Sequence, residues 1–207
     1  MARKPLTRPR KQASQARSRA TVEALVEATA RILVRDGFDQ ASTNRIARAA
    51  GVSIGSLYQY FPSKEALVAA VIERHNRELT EVVRRALAEV EGQPLEPSAR
   101  RLIAAAVEAH RLDPKLHRVL SEQTPRTGAL ANADAFNSET YALFQAYLET
   151  HRAELRVTDL DLAAFVCVTS IEALTHTAVL HRGEVLTEAG VEALVEAATR
   201  MVVGYLR

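Results

Sequence analysis

Residues 42–67 read S-T-N-R-I-A-R-A-A-G-V-S-I-G-S-L-Y-Q-Y-F-P-S-K-E-A-L, a run that local physics divides into two short helices joined by a tight turn. Ser42 or Thr43 can cap the first helix by accepting a backbone N–H, and Ile46, Ala47 and Ala50 follow on one face. Gly51, with no Cβ, suits the left-handed conformation at a helix end, and Val52 is placed to tuck into the core. Ser53 caps the second helix, residues 54–61, whose Leu57 and Phe61 face inward. On its other side Gly55 and Ser56 are small enough for a partner to approach. Ser56, Tyr58, Gln59 and Tyr60 carry hydroxyl and amide groups suited to phosphates or base edges. Pro62 ends this helix and Ser63 caps a longer one whose first turn holds Lys64. Helix, glycine turn, helix is the arrangement that lays its second helix in the major groove of DNA.

A chain of 207 residues and 22.7 kDa can bury a sizeable core, and 47% apolar residues argue against wholesale disorder. Abundant Ala, Leu, Val, Glu and Arg without period-two alternation predict an all-α fold. The net charge of +2 hides an asymmetry: residues 1–64 hold twelve Lys or Arg against four Asp or Glu, and residues 65–207 hold fifteen against twenty-one. A basic head on an acidic body suggests that the head alone meets a polyanion. A membrane surface would attract the same head.

Cys167 is the only cysteine, which excludes an intrachain disulfide and fits a reducing compartment; within its apolar run it reads as a buried, inert thiol. No apolar stretch reads as long enough for a membrane span and the N-terminus is too polar for a signal peptide, so the expected location is cytoplasmic, with no membrane partner.

Residues 1–17 read as a basic, disordered arm that can follow the DNA backbone or enter the minor groove. Residues 18–36 form the first helix of a three-helix head, stopped by Gly37, with Phe38 packing back into the core. The head is expected to span 18–64 and the body 65–207, about nine helices in all. A long helix from Lys64 to about Glu91 would reach about 40 Å. Gly92 to Pro97 breaks the chain, Ser98 caps a helix to about Leu112, and Asp113-Pro114 opens one ending near Thr124-Pro125 before a loop to Gly128. Further helices are predicted over 130–151, 159–181 and 187–206. The first of these carries the aromatics Phe136, Tyr141, Phe144 and Tyr147.

The run from Ser42 to Leu67 resembles the helix-turn-helix of the TetR family of bacterial transcriptional regulators, over about the first third of the chain. The resemblance implies a dimeric, all-helical regulator with a DNA-binding head and a ligand-binding and dimerisation body. Carried over by position, Thr43, Ser53 and Tyr58 would bind phosphates, Tyr60 stands where the family often has His, and Lys64 would add a point charge on the DNA backbone. Ser56 and Gln59 are the candidates for base edges, with Gly55 allowing close approach. Arg45 and Arg48 can add electrostatic attraction or simply remain solvated.

In the body, His110, Phe144, Tyr147, Glu172 and His176 are the candidates for lining an effector pocket, with core packing as the plainer explanation. Glu172 and His176 share a helix face, but no third metal ligand can be assigned, so neither a metal nor another cofactor is expected. A stripe on the last helix, Val191, Leu194, Val195, Ala198, Met201, Val202 and Tyr205, together with Phe165, is assigned to a homodimer interface. Two heads on one duplex must be held about 34 Å apart or a multiple of it. The resulting expectation is a homodimeric repressor released from a palindromic double-stranded operator by a small, largely apolar effector. The alternatives are a DNA-binding regulator without small-molecule input and a helical enzyme, the latter disfavoured by the lack of a P-loop, G-x-S-x-G or nucleophile–base pair.

Overall fold

The computed structural model describes residues 16–127 and 130–207, without the side chains of residues 17, 122–138 and 184. Apart from its last two residues the expected basic arm lies outside that range, as does the Phe136 side chain. Among the described residues are nine α-helices: α1 Ala16–Gln40, α2 Thr43–Ala49, α3 Ile54–Tyr60, α4 Lys64–Glu89, α5 Leu95–Arg111, α6 Pro114–Thr127, α7 Leu130–Thr150, α8 Leu160–His181 and α9 Glu188–Leu206. They are joined in places by short 3-10 turns, Arg152–Glu154 and Gly183–Leu186, and no strand occurs among them. The all-α expectation holds.

The helices fall into two compact units, one of Met1–Asn76 with Lys115–Ala133 and the other of Arg77–Pro114 with Asp134–Arg207. The first compact unit thus runs past Lys64 into α4 and takes in α6. The core of the first unit draws on Leu67, Val68, Val71 and Ile72 of α4 and on Leu116 and Leu120 of α6. These side chains meet Leu25, Leu33, Ile46, Leu57 and Phe61, all essentially inaccessible to solvent.

Glycine ends two helices in this unit, as the sequence predicts. Gly37 interrupts α1 at φ 78°, ψ 172°, outside helical space, and Gly51 follows α2 at φ 68°. Both lie where an L side chain is strained. Ser42 caps α2 by accepting the Arg45 N–H at 3.3 Å, which settles the choice between Ser42 and Thr43. Ser53 caps α3 and Ser63 caps α4 in the same way, at 3.0 and 3.2 Å. Each such cap is worth about 1 kcal/mol.

In the second unit α5 starts at Leu95, after Pro94, rather than at Ser98. Pro97 falls in the first turn, where a missing N–H costs no hydrogen bond, so the prolines that read as a break are part of the start. Ser98 is buried and donates to the Gln93 carbonyl at 3.4 Å. Likewise α6 continues past Thr124-Pro125 to Thr127, since a proline this near a helix end removes one bond without unwinding earlier turns. Asp159 caps α8 and Thr187 caps α9. The core of this unit joins Val90, Leu95, Ile103, Val107, Tyr147, Leu148, Cys167, Val195, Val202 and Leu206. Burial pushes the Cys167 thiol up to about 12, in keeping with an inert packing residue.

Membership of α6 in the first core can be tested by truncation. Leu116→Ala should lower the unfolding free energy in urea by about 2–5 kcal/mol, whereas Leu112→Ala, at a residue 75% exposed, should change it by no more than about 0.5 kcal/mol. Equal effects would place Leu116 outside the core.

Candidate nucleic-acid interface

The short helix α3 has two sharply different sides. Leu57 and Tyr60 point into the core, with Phe61 just beyond, while Ile54, Gly55, Tyr58 and Gln59 face solvent. Of the expected contact residues Tyr60 is the exception: three positions after Leu57 it shares the inward face and is only 8% exposed. It is a core residue, and its assignment to the outward face is corrected accordingly. Ile54, which the sequence reading counted only as the start of the helix, is 38% exposed and belongs to the outward face. Periodicity alone would not have found it: three positions before Leu57, Ile54 falls at the edge of the inward face, and its exposure is visible only once the helix is packed.

The hydroxyls around this face are organised in pairs. Ser53 Oγ accepts the Ser56 N–H at 3.0 Å and lies 2.8 Å from Ser56 Oγ. Thr43 Oγ1 lies 3.1 Å from the Tyr58 hydroxyl, so the first residue of α2 and the middle of α3 present a joint polar surface. Each pair satisfies one hydroxyl with the other and retains one O–H for a partner. Gly55 has no positive φ, and a Cβ built on it would meet nothing nearer than Ser53 Oγ at 3.8 Å. The protein's own packing thus does not require glycine there, and the open space lies toward solvent.

Two cations brace the turn that leads into α2. Arg45 places its guanidinium 2.7 Å from Asp36 Oδ2 and donates to the Gln40 carbonyl at 2.8 Å. Asp36 is held below its usual pKa chiefly by the hydrogen bond from Arg35, with the Arg35 and Arg45 charges adding and desolvation opposing. Lys64 donates to the Phe38 carbonyl at 2.9 Å and sits 4.0 Å above the Phe38 ring centroid. Arg45, read as a solvated or steering charge, is thus a structural clamp. Lys64 combines an intramolecular contact with its charge. Asn44 and Arg48 are exposed on α2.

In the body the five candidate lining residues fall into two groups. His110 is buried and donates from Nδ1 to the Ala106 carbonyl at 2.8 Å; burial lowers its pKa, that bond offsets part of the effect, and the His176 charge lowers it further. His176 is half-buried and also lowered, first by burial and then by His181, and burial alone raises the half-buried Glu172. Phe144 and Tyr147 belong to a ring stack, with centroids 5.5 Å apart and His151 4.5 Å beyond Tyr147. Tyr147 is buried, its hydroxyl 3.5 Å from the Leu95 carbonyl, and burial pushes its pKa up to about 12. That aromatic pair packs in the core of the body.

The stripe assigned to a partner copy also splits. Val195, Ala198 and Val202 are each 3% exposed and face their own core, with Val191 and Leu194 packed against it. Val195, Ala198 and Val202 are therefore core, because the near-heptad spacing merged two adjacent helix faces into one stripe, while Val191 and Leu194 are partly buried at its edge. Phe165, Met201 and Tyr205 are exposed at 52%, 45% and 39%, and Leu162 and Leu174, not singled out from sequence, join them at 52% and 37%. Helix α8 is apolar on both sides. By length and composition it could cross a membrane, with mean hydropathy 1.5 over its most apolar window, contrary to the expectation that no stretch would reach that length. Core helices of water-soluble proteins meet the same criterion, and only 33% of that window is buried.

Comparison with known proteins supplies a context for this geometry. Residues 25–71 match the profile described as bacterial regulatory proteins, tetR family, and residues 94–206 match the tetracyclin repressor-like, C-terminal domain. The nucleoid occlusion factor SlmA of Actinobacillus pleuropneumoniae serotype 5b (strain L20) is 51% identical over 45 residues, 22% of either chain. That of Haemophilus ducreyi is 30% identical over 117 residues, 56% of this chain and 55% of its own. The A-factor receptor protein of Streptomyces griseus is 37% identical over 84 residues, 41% of this chain and 28% of its own. The matched stretches thus span from about a fifth to about half of these relatives. A TetR-family structure from Mesorhizobium loti MAFF303099 superimposes with a TM-score of 0.75 at 19% identity, covering 92% of this chain and 98% of that one. The fatty acid degradation regulator FadR of Bacillus halodurans gives 0.69 at 18%, covering 90% and 96%. At such identities these two speak for the fold alone. The C-terminal profile by itself spans more than half of the chain, and the second covers the helix-turn-helix, so the chain belongs to the TetR family of DNA-binding transcriptional regulators.

Proposed function

We propose that this regulator works as a homodimeric repressor, each subunit laying α3 in the major groove of one half of a palindromic operator. The observation that carries the reading is the outward face of α3: four neighbouring residues turned to solvent on a helix whose other side is fully packed. Ser53, Ser56 and the Thr43–Tyr58 pair are suited to phosphates, Lys64 and Arg48 add charge, and Gly55 and Gln59 approach the bases. A DNA-binding regulator of this kind acts in the cytoplasm and needs no cofactor or catalytic group. Titrating labelled duplexes with the full chain at low ionic strength tests the reading. Binding steepened by a two-fold symmetric site supports it, and indifference to every duplex refutes it.

Dimerisation is supported by the exposed apolar residues of α8 and α9. Leu162, Phe165, Leu174, Met201 and Tyr205 leave an apolar surface that a second copy would cover, with Val195, Ala198 and Val202 behind it as core. Small, largely apolar effectors entering the body are the proposed input, with His110, Glu172 and His176 as the polar groups able to orient them. To release the operator, the effector must favour an arrangement of α4 in which the paired recognition helices no longer match successive grooves. A second reading is DNA binding without small-molecule input; one matched relative is a protein named nucleoid occlusion factor. The match to one named a receptor favours the first.

Phe165→Glu should convert the dimer to monomer in sedimentation velocity and lower operator affinity, while Val202→Ala, behind the surface, should lower stability and leave the dimer intact. An effector found by thermal shift should change operator affinity by about 5- to 150-fold. Equal effector affinity for free and operator-bound dimer would exclude the release mechanism. Below about pH 6.5 the unfolded chain binds a proton more readily than buried His110 does, so stability is lost as pH falls. The melting temperature should drop between about pH 7 and 5.5, by less in His110→Gln than in the wild type.

A further inference from the structure

The outward face of α3 has a definite chemistry that goes beyond binding DNA as such. From Ser53 to Phe61 the chain contains no Lys or Arg, the side chains that most often read guanine through its O6 and N7 acceptors. Of the two α2 cations, Arg45 is committed to Asp36 and the Gln40 carbonyl at 2.7 and 2.8 Å, and Arg48 is exposed but stands on the other helix of the pair. Lys64 is held on the Phe38 carbonyl and ring. The Ser53 and Ser56 hydroxyls are turned on one another, and Tyr58 is tied to Thr43 across the helix pair, a geometry suited to phosphate oxygens. Each of those pairs keeps one O–H, whereas Gln59 is the outward side chain of α3 that offers a donor and an acceptor together, with Ile54 supplying an apolar contact.

These two side chains match one kind of base pair. The Gln59 amide offers one donor and one acceptor side by side, the complement of adenine N7 and the adenine amino group. Gly55 lies one turn before it on the same face with open space beyond, so the helix backbone can come close enough for a short side chain to reach a base edge. Ile54 is a branched hydrocarbon side chain exposed in the free protein, and the apolar feature that a B-form major groove presents is the methyl group of thymine. Resting on the reading of α3 as the DNA-facing helix, we infer that each half-site is read through A·T pairs, Gln59 taking an adenine edge and Ile54 a thymine methyl, with guanine left without a reader on this helix.

The test uses the full-length chain. Duplexes retained from a random library define the half-site, and anisotropy titrations then compare single-atom or single-group replacements in it. Deoxyuridine for thymidine removes one methyl, and 7-deazaadenine for adenine removes one acceptor. At one A·T pair the wild type should lose about fourfold in affinity with deoxyuridine, and Ile54→Ala should show no such loss. At another it should lose about two- to tenfold with 7-deazaadenine, and Gln59→Ala should be insensitive. Both residues are exposed, so melting temperatures within about one degree of wild type confirm that the variants are folded. Half-sites that require G·C pairs under α3, or variants that keep the wild-type sensitivity to both replacements, overturn the base assignment while leaving DNA binding intact. Retention of no duplex at all overturns the DNA-facing reading of α3, and the assignment with it.

Discussion

A helix of seven residues has no stability of its own in water, because nucleating it fixes several residues for each hydrogen bond gained. Both α2 and α3 are that short. Their existence rests on Ile46, Leu57 and Phe61 being sealed against α1, the first turns of α4 and part of α6. Burial of those three side chains does more than stabilise. It determines which way α3 is turned, since a helix with Leu57, Tyr60 and the flanking Phe61 locked inward has little rotational freedom left for the opposite face.

The same logic explains the cations around the turn before α2. With Gly37 at positive φ the chain leaves α1 abruptly, and the carbonyls of Phe38 and Gln40 are then available to side-chain donors from elsewhere. Arg45 reaches one from α2 and Lys64 the other from α4. Individually such surface contacts contribute little. Together they connect the entry to the helix pair with the helix that leaves it, so the pair is held at both ends. Basic residues counted as charge for a polyanion are thus in part employed in holding the scaffold that meets it.

Much of this was legible because it depends on local chemistry. Gly37, Gly51, Ser53, Ser63, Asp159 and Thr187 end or cap helices where their own conformational or hydrogen-bonding preferences direct. The failures share a different character. Pro97 and Pro125 read as breaks, yet the effect of a proline depends on which turn it occupies, and that is settled by what the neighbouring residues bury. Tyr60 carries a polar tip on a large apolar ring, and sequence alone could not weigh the two; packing beside Leu57 did. Val195 and Met201 sit on adjoining faces of one helix whose periodicity fits either, so only the position of α5 and α8 separates core from surface. The contribution of α6 to the head's core joins residues some forty positions apart in the chain, and no periodicity encodes it.

The state of Cys167 has a practical reach. The chain's single thiol is enclosed in the body, and burial pushes its pKa up to about 12, so it keeps its proton at neutral pH. Maleimide and iodoacetamide reagents act on thiolate that they can reach, so the native molecule is close to silent toward them. A change such as Leu112→Cys, at a side chain already bathed in water, would then carry one fluorophore or spin label per subunit with no prior removal of the natural cysteine.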